Sequence, residues 1–181
     1  MAKPLSTDNT VCIVVDIQER LTPVLNGHQL FIEKSCQMLQ GLQALEIPVL
    51  AAEQYPKGLG HTVAAIKEQL GDATIFEKTK FSAWQPEAEA FVRQHGAQNI
   101  ILIGVEAHVC MLQTAADLRA QGFGVYVPVE CTTSRTAENK ENGLAQMQNL
   151  GVVVSNIESL LFMLLKDAKH PAFKTISKLI Q

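Results

Sequence analysis

Three residues with the potential for nucleophilic chemistry stand at or just after the ends of apolar runs. Asp16 lies near the end of VCIVVDI, Lys78 ends TIFEK, and Cys110 closes GVEAHVC, which follows the run NIILI. A carboxylate can take the proton of a thiol, the thiolate can attack an electrophilic carbon, and a lysine can orient the carboxylate and balance its charge. The three side chains together therefore indicate covalent catalysis by a cysteine.

Each of these residues also has a simpler interpretation. Asp16 can be a turn or cap residue before IQERL, Lys78 a solvated charge at a strand end, and Cys110 an inert buried thiol. We expect Cys110 at a junction between a strand and a helix, where backbone N–H groups and the helix dipole favour thiolate over thiol. This position predicts an activated cysteine.

Short apolar runs alternate with segments of helical period, which is typical of βαβ units around a parallel sheet. We expect helices over 28–45, 86–96 and 138–151 and within the tail 167–181, where Phe173, Ile176 and Ile180 follow helical spacing. The carboxyl ends of parallel strands open onto one edge of the sheet, so Asp16, Lys78 and Cys110 are predicted to meet there. The predicted strands are 11–17, 48–53, 74–78, 99–105, 124–129 and 152–156.

Composition favours a protein that acts on small molecules. The 181 residues are 47% hydrophobic and 18% charged, with a formal net charge of −3, and no basic cluster suggests nucleic acid or an anionic membrane. We expect a single domain over 1–181, a cytoplasmic location and no membrane span. The four cysteines are widely separated, which predicts free thiols.

Three separated motifs carry a resemblance to a known family. The stretches VVDIQ (14–18), EKTKFSAW (77–84) and GVEAHVC (104–110) resemble the isochorismatase-like cysteine hydrolases, which include nicotinamidases and N-carbamoyl amide hydrolases. EQYPKGLG (53–60), CTTSR (131–135) and KHPAFKTISKLI (169–180) look most like the isochorismatase domain-containing subgroup. The resemblance implies an α/β fold of three α/β/α layers, with a Rossmann-like six-stranded parallel sheet of order 3-2-1-4-5-6.

The resemblance also implies roles for individual residues. Asp16 becomes the general base, Cys110 the nucleophile and Lys78, rather than the neighbouring Lys80, the third catalytic residue. It further implies a non-proline cis peptide bond between Val105 and Glu106. The backbone N–H groups of Glu106 and Cys110 would then form the oxyanion hole.

The sequence departs from the metal-dependent members of this family. Where nicotinamidases carry an Asp-x-His pair, this chain has Glu53, Gln54 and Tyr55. Glu53 and His61 can approach one another, but two ligands make a weak site compared with the three or four that usually bind zinc. We expect no metal and no cofactor, and the same loss disfavours nicotinamidase activity.

Five residues are candidates for the substrate pocket. Tyr55, Phe81 and Trp84 can form aromatic walls, although aromatic residues near strand ends are more often core. His108 is expected at the entrance or at a subunit contact rather than paired with Cys110, because residues two apart on a helix point in different directions. Cys131 can line the pocket or be a passive core thiol.

An intact set of Asp, Lys and Cys favours hydrolysis of a C–N bond in a small amide or ureido substrate. Isochorismate-type vinyl ether hydrolysis is the alternative reaction, since that chemistry does not require a cysteine nucleophile. A metabolite-binding or scaffold protein with little catalysis is a third interpretation. The resemblance also implies a homo-oligomer, with the tail helix as a candidate contact.

Overall fold

The computed structural model describes residues 4–181 as a parallel β-sheet enclosed by helices on both faces. Along the sheet, the strands follow the order β3-β2-β1-β4-β5-β7, with β6 paired to β4. The strands are β1 (Thr10–Val15), β2 (Val49–Gln54), β3 (Ile75–Lys78), β4 (Asn99–Val105), β5 (Gly124–Pro128), β6 (Thr132–Thr133) and β7 (Val153–Ser155).

The helices divide between the two faces. The bounds are α1 (His28–Ala44), α2 (Pro56–Leu59), α3 (Ala64–Leu70), α4 (Pro86–Gln94), α5 (Leu112–Ala120), α6 (Ala137–Asn149), α7 (Ile157–Leu165) and α8 (Phe173–Leu179). Buried side chains of α1, α3, α7 and α8 form one core, and those of α4, α5 and α6 form the other. The three-layer α/β/α architecture predicted from the sequence is confirmed.

The central strands β1 and β4 are apolar after their first residue because both of their faces are covered. Every residue of β1 and of β4 is buried. Cys12 and Val14 of β1 face one core, whereas Ile13 and Val15 face the other. Alternate residues thus serve two layers, which is why the sequence shows continuous hydrophobic runs instead of an alternating pattern.

The structure adds a strand to the six that were predicted. Thr132 and Thr133 pair in parallel with Gly104 and Val105 of β4, so the final predicted strand becomes β7. The order of the other strands agrees with the prediction. A two-residue strand has no hydrophobic pattern of its own, and its pairing depends on β4.

The tail helix packs on its own chain. Ile176 of α8 is fully buried, Phe173 and Ile180 pack partly against the same core, and Gln37 of α1 donates a 2.6 Å hydrogen bond to the Leu179 carbonyl. The apolar residues of this stripe are thus used within the chain, and a role of the tail helix as a subunit contact stays a prediction. No helix within residues 4–181 combines the length and apolar character that crossing a bilayer requires.

Candidate active site

Asp16, Lys78 and Cys110 come together at the carboxyl edge of the sheet. Asp16 follows the last residue of β1, Lys78 ends β3, and Cys110 lies in a π-helical turn over Ala107–Met111, just after β4. The strand order places β2 between β3 and β1, and β4 on the other side of β1. The predicted convergence is thus a direct consequence of parallel topology.

Asp16 and Lys78 form a buried ion pair. Lys78 Nζ lies 2.9 Å from Asp16 Oδ2, and each side chain is only 1% exposed. The ammonium also donates to Gln54 Oε1 at 2.7 Å and to the carbonyl oxygens of Phe81 at 2.9 Å and Lys80 at 3.2 Å. These acceptors offset the cost of removing the lysine from water and hold it in one place.

The surroundings of Asp16 shift the pKa of its carboxyl. Burial raises the pKa of its carboxyl, and the nearby Lys78 opposes that rise only in part. Its second oxygen, Oδ1, is buried and has no hydrogen-bond partner of ordinary geometry within residues 4–181. Asp16 also has a φ of 55°, a left-handed backbone conformation that residues other than glycine seldom adopt. The fold thus maintains this carboxylate in an unusual backbone conformation with one oxygen unpaired.

The surroundings of Cys110 favour the thiol form, whereas its sequence position alone suggested a thiolate. Its side chain is buried, and burial, followed by the charge of Asp16, raises its pKa to about 12, although Lys78 acts in the opposite direction. A helix terminus favours the anion only where the group is not strongly desolvated. The thiol acts on the pKa of Asp16 and Asp16 on that of the thiol, so the two groups are close neighbours in the site.

The turn that carries Cys110 is fixed by close backbone packing. The N–H groups of Val109 and Met111 donate to the Glu106 carbonyl at 3.0 and 3.2 Å, and the Val105–Glu106 peptide bond is cis. Gly143 of α6 approaches so closely that an added Cβ would lie 2.7 Å from His108 N. A larger residue at 143 would therefore displace the turn that carries Cys110.

Thr114 is a buried link that sequence reasoning missed. Its hydroxyl donates to the Cys110 carbonyl at 2.6 Å and accepts from the Ala83 N–H at 2.8 Å. Ala83 lies two residues after Phe81, whose carbonyl accepts from Lys78. Thr114 therefore joins the turn that carries Cys110 to the segment that contacts Lys78. A threonine that bonds back to the carbonyl four residues earlier is a known local pattern, but the contact with Ala83 has no signal in the sequence.

Gln18 and Gln54 form a second link that the sequence did not reveal. Gln18 Oε1 accepts from the Gln54 N–H at 2.7 Å, and its Nε2 donates to the Gln54 carbonyl at 3.0 Å. Gln54 Oε1 then accepts from Lys78. Gln54 therefore has a defined place at the site, although in the sequence it stands out only as part of the stretch that replaces a metal motif.

Glu106 and Arg135 pair at the start of the turn that carries Cys110. Glu106 Oε2 accepts from the backbone N–H of Arg135 at 3.0 Å and from its Nε at 3.2 Å. The guanidinium is largely exposed. This pair ties the segment after β6 to the residue that follows β4.

Glu53 and His61 approach one another as anticipated, with 3.0 Å between Glu53 Oε2 and His61 Nδ1. The other carboxylate oxygen accepts from the N–H and hydroxyl of Thr62 at 2.7 and 2.8 Å. Burial alone would raise the pKa of Glu53, but these hydrogen bonds together lower it. Within residues 4–181, no group of three or more His, Cys, Asp or Glu is placed to bind a metal ion.

The pocket candidates fall into two groups. Tyr55 and Phe81 are more than half exposed and flank the lysine through their backbones, since the Tyr55 N–H donates to the Lys78 carbonyl at 2.9 Å. Trp84 instead packs edge to face on Phe123, with 5.4 Å between ring centroids. The first two rings can therefore contact a substrate, whereas Trp84 is used in packing.

The side chains of His108 and Cys131 do not pair with Cys110. His108 Nδ1 lies 3.0 Å from Ser134 Oγ, in agreement with the expectation that it does not pair with Cys110. Cys131 is fully buried in the core beside α1, with Sγ 3.5 Å from the Lys34 carbonyl. Of its two interpretations, the passive core thiol agrees with this position, because the residue faces the layer opposite the one that contains Cys110. All four cysteines are free thiols, as predicted.

Comparison with known proteins agrees with this architecture. The family model for the isochorismatase domain matches residues 10–159. The chain is 40% identical to isochorismatase domain-containing protein 1 of Salmo salar, over 98% of this chain and 66% of that protein. It is 39% identical to the Danio rerio protein of the same name, over 98% of this chain and 62% of that protein. The chain thus spans less than two thirds of the length of these curated relatives.

A solved structure is similar over almost the whole chain. The structure of MAR1 ribonuclease from Caenorhabditis elegans superposes with a TM-score of 0.94 at 37% identity, covering 98% of this chain and 92% of that one. The shared sheet and the match over residues 10–159 include all three strand ends that converge at the candidate site. This chain belongs to the isochorismatase family.

Proposed function

We propose that the protein is a hydrolase that cleaves a C–N bond of a small amide or ureido substrate through a covalent intermediate on Cys110. The observation that carries the proposal is the buried Asp16–Lys78 ion pair beside a buried thiol. A structural role alone gives no reason to bury a carboxylate, an ammonium and a thiol in one place, because burying a charge is costly. Such arrangements of perturbed groups are concentrated at functional sites.

Asp16 acts as the proton carrier in this mechanism. It takes the proton of the Cys110 thiol as sulfur attacks the carbonyl carbon, and the resulting acid donates that proton to the departing amine. Burial raises the pKa of Asp16, so the protonated state is accessible within the cycle. Water then attacks the acyl group on sulfur, and Asp16 takes a proton from that water. The carbon–sulfur bond breaks as the acid product leaves, and Asp16 returns the proton to the sulfur, which restores the thiol.

Lys78 and the backbone supply the electrostatic part of the reaction. Lys78 holds Asp16 in place through the 2.9 Å contact and balances the negative charge that passes from Asp16 to the sulfur as the proton moves. The N–H groups of Glu106 and Cys110 are proposed to stabilise the negative oxygen of the tetrahedral intermediate. Tyr55 and Phe81, which are exposed beside the lysine, would contact the substrate.

Small-molecule substrates fit this chain better than RNA. The formal net charge is −3, and a protein that binds RNA normally presents a basic surface to the phosphates. Vinyl ether hydrolysis would not need the thiol at all. The closely coupled Cys110 and Asp16 therefore favour an amide or ureido carbonyl.

The direct test is hydrolysis of a panel by wild type, Cys110→Ala and Cys36→Ala, each passed through a chelator. The panel contains small aliphatic amides, N-carbamoyl amino acids, nicotinamide, isochorismate and a short single-stranded RNA. We expect turnover of an amide or N-carbamoyl compound, reduced at least about 10³-fold in Cys110→Ala and unchanged in Cys36→Ala. Cys36 is a matched control because it is also a free thiol but lies outside the site.

Three results would contradict the proposal. Consumption of isochorismate alone, with full activity in Cys110→Ala, would favour ether hydrolysis. Cleavage of the RNA without turnover of any amide would favour a nuclease. Absence of any turnover would favour a binding or scaffold protein.

A further inference from the structure

A cavity of about 320 Å³ lies beside the start of α1. Its lining residues do not include Asp16, Lys78 or Cys110. The walls come from α1, from the segment that links β5 to β6, and from α6; they include Leu30, Phe31, Lys34, Glu130, Thr132 and Lys140. This volume is at the small end of the range for small-molecule sites.

The cavity has an excess of positive charge. Lys140 is partly buried, and burial lowers the pKa of its ammonium while Glu130 opposes that effect. Among residues 4–181, no carboxylate lies within 4.0 Å of that ammonium. Lys34 contributes a second cation, which donates to Gln37 Oε1 at 3.1 Å. Two lysines thus line this space with one nearby carboxylate.

That carboxylate is already engaged. The two oxygens of Glu130 lie 3.3 and 3.2 Å from the backbone N–H nitrogen of Ile157. Ile157 is the first residue of α7, and a negative charge at a helix N-terminus is stabilised by the helix dipole. Glu130 therefore serves α7 and leaves Lys140 without a close counter-ion.

A buried hydroxyl also lacks a partner at this cavity. Thr132 is fully buried and lines the cavity, and its Oγ1 has no hydrogen-bond partner within residues 4–181. The neighbouring Thr133 hydroxyl, by contrast, donates to the Asn26 carbonyl at 2.8 Å. Leaving a buried hydroxyl unpaired costs about 1–3 kcal/mol, which an oxygen of a bound molecule would recover.

We propose that this cavity binds a small organic carboxylate with an apolar body. Lys140 and Lys34 hold the carboxylate, and the Thr132 hydroxyl donates to one of its oxygens. Phe31 and Leu30, which is 59% exposed in the free protein, cover the apolar part. Charge-assisted hydrogen bonds to a carboxylate are among the stronger polar contacts, so the two lysines set the specificity for an anion.

The test is calorimetric titration of the purified chain with phenylacetate and with hexanoate, compared with the uncharged 2-phenylethanol. We expect one saturable site for a carboxylate, and binding at least about 10-fold weaker for 2-phenylethanol and for the variant Lys140→Gln. Lys34→Gln should also weaken binding, and Thr132→Val should weaken it by a smaller factor. Lys174→Gln, which removes an exposed lysine of α8, and Cys110→Ala should bind as wild type does.

Several results would overturn the inference. One is the absence of saturable binding of either carboxylate up to about 10 mM. Another is binding by Lys140→Gln and Lys34→Gln that is as tight as binding by wild type. A third is loss of binding in Cys110→Ala. The last result would place the ligand in the cysteine site instead. Thermal unfolding of each variant separates lost binding from lost structure, and because no turnover is measured, the result is independent of the proposed hydrolase activity.

Discussion

Replacing Lys78 with methionine tests whether the buried ion pair is as important as its geometry implies. The substitution keeps a side chain of similar length but removes the ammonium that lies 2.9 Å from Asp16. It also leaves Gln54 Oε1 and the Phe81 carbonyl without their donor. Breaking a buried pair by removing one partner costs about 3–5 kcal/mol, so we expect the free energy of unfolding to fall by about that amount at pH 7.

The dependence on pH gives a second, independent readout. Lys78 lowers the pKa of Asp16, whereas burial raises it. Removing the lysine therefore raises this pKa further, and the folded protein binds a proton more tightly than the unfolded chain does. The penalty is fully present above the raised pKa and decreases as the pH falls through it, because the neutral acid has no charge to bury. Wild type should show less of this gain on acidification.

The assay is urea unfolding of wild type and Lys78→Met at several pH values, followed by circular dichroism. Arg93→Met is the matched control, because Arg93 pairs with Glu89 on the surface of α4 with side chains 77% and 45% exposed. Exposed pairs contribute about 0–1 kcal/mol. The reasoning is refuted if the two variants lose the same small amount of stability, or if the loss in Lys78→Met grows on acidification.

Three further predictions concern the nucleophile and its supports. Asp16→Asn should speed alkylation of Cys110 by iodoacetamide at pH 8 while abolishing turnover, because the Asp16 charge raises the pKa of that thiol; slower alkylation, read by peptide mass spectrometry, would contradict this. Gly104→Ala should unfold at a much lower urea concentration than Gly96→Ala. A Cβ at Gly104 would lie 2.1 Å from the Val15 carbonyl oxygen, whereas a Cβ at Gly96 would have nothing within 4 Å. Similar unfolding midpoints for the two variants would refute the close approach at Gly104. Thr114→Val should lose about 1–3 kcal/mol of unfolding free energy and lower kcat, and Thr114→Ser should restore both; equal behaviour of the two variants would show that the hydroxyl is not needed.

The meeting of Asp16 with Lys78 was predictable because it depends only on topology. Once the apolar runs are interpreted as parallel strands, their carboxyl ends must share an edge. The state of Cys110 was not predictable in the same way. Its pKa depends on how much of the thiol is desolvated and on which charge lies nearest, and both follow from packing between segments far apart in the chain.

Other features were hidden because they are tertiary. Cys131 and Cys110 both follow strands, and only the three-dimensional path shows that they face opposite layers. The contact between Thr114 and Ala83 spans 31 residues. The strand β6 forms because two threonines lie beside β4, not because of their own pattern.

The central claim is that Cys110 forms a covalent bond with the substrate. The most direct measurement is the mass of the Cys110 peptide after acid quenching of a reaction with the best amide or N-carbamoyl substrate of the panel. The account predicts an added acyl mass on that peptide, formed within the first turnover and absent in Cys110→Ala and Asp16→Asn. Turnover by wild type with no adduct on Cys110, and with undiminished activity in Cys110→Ala, would contradict it.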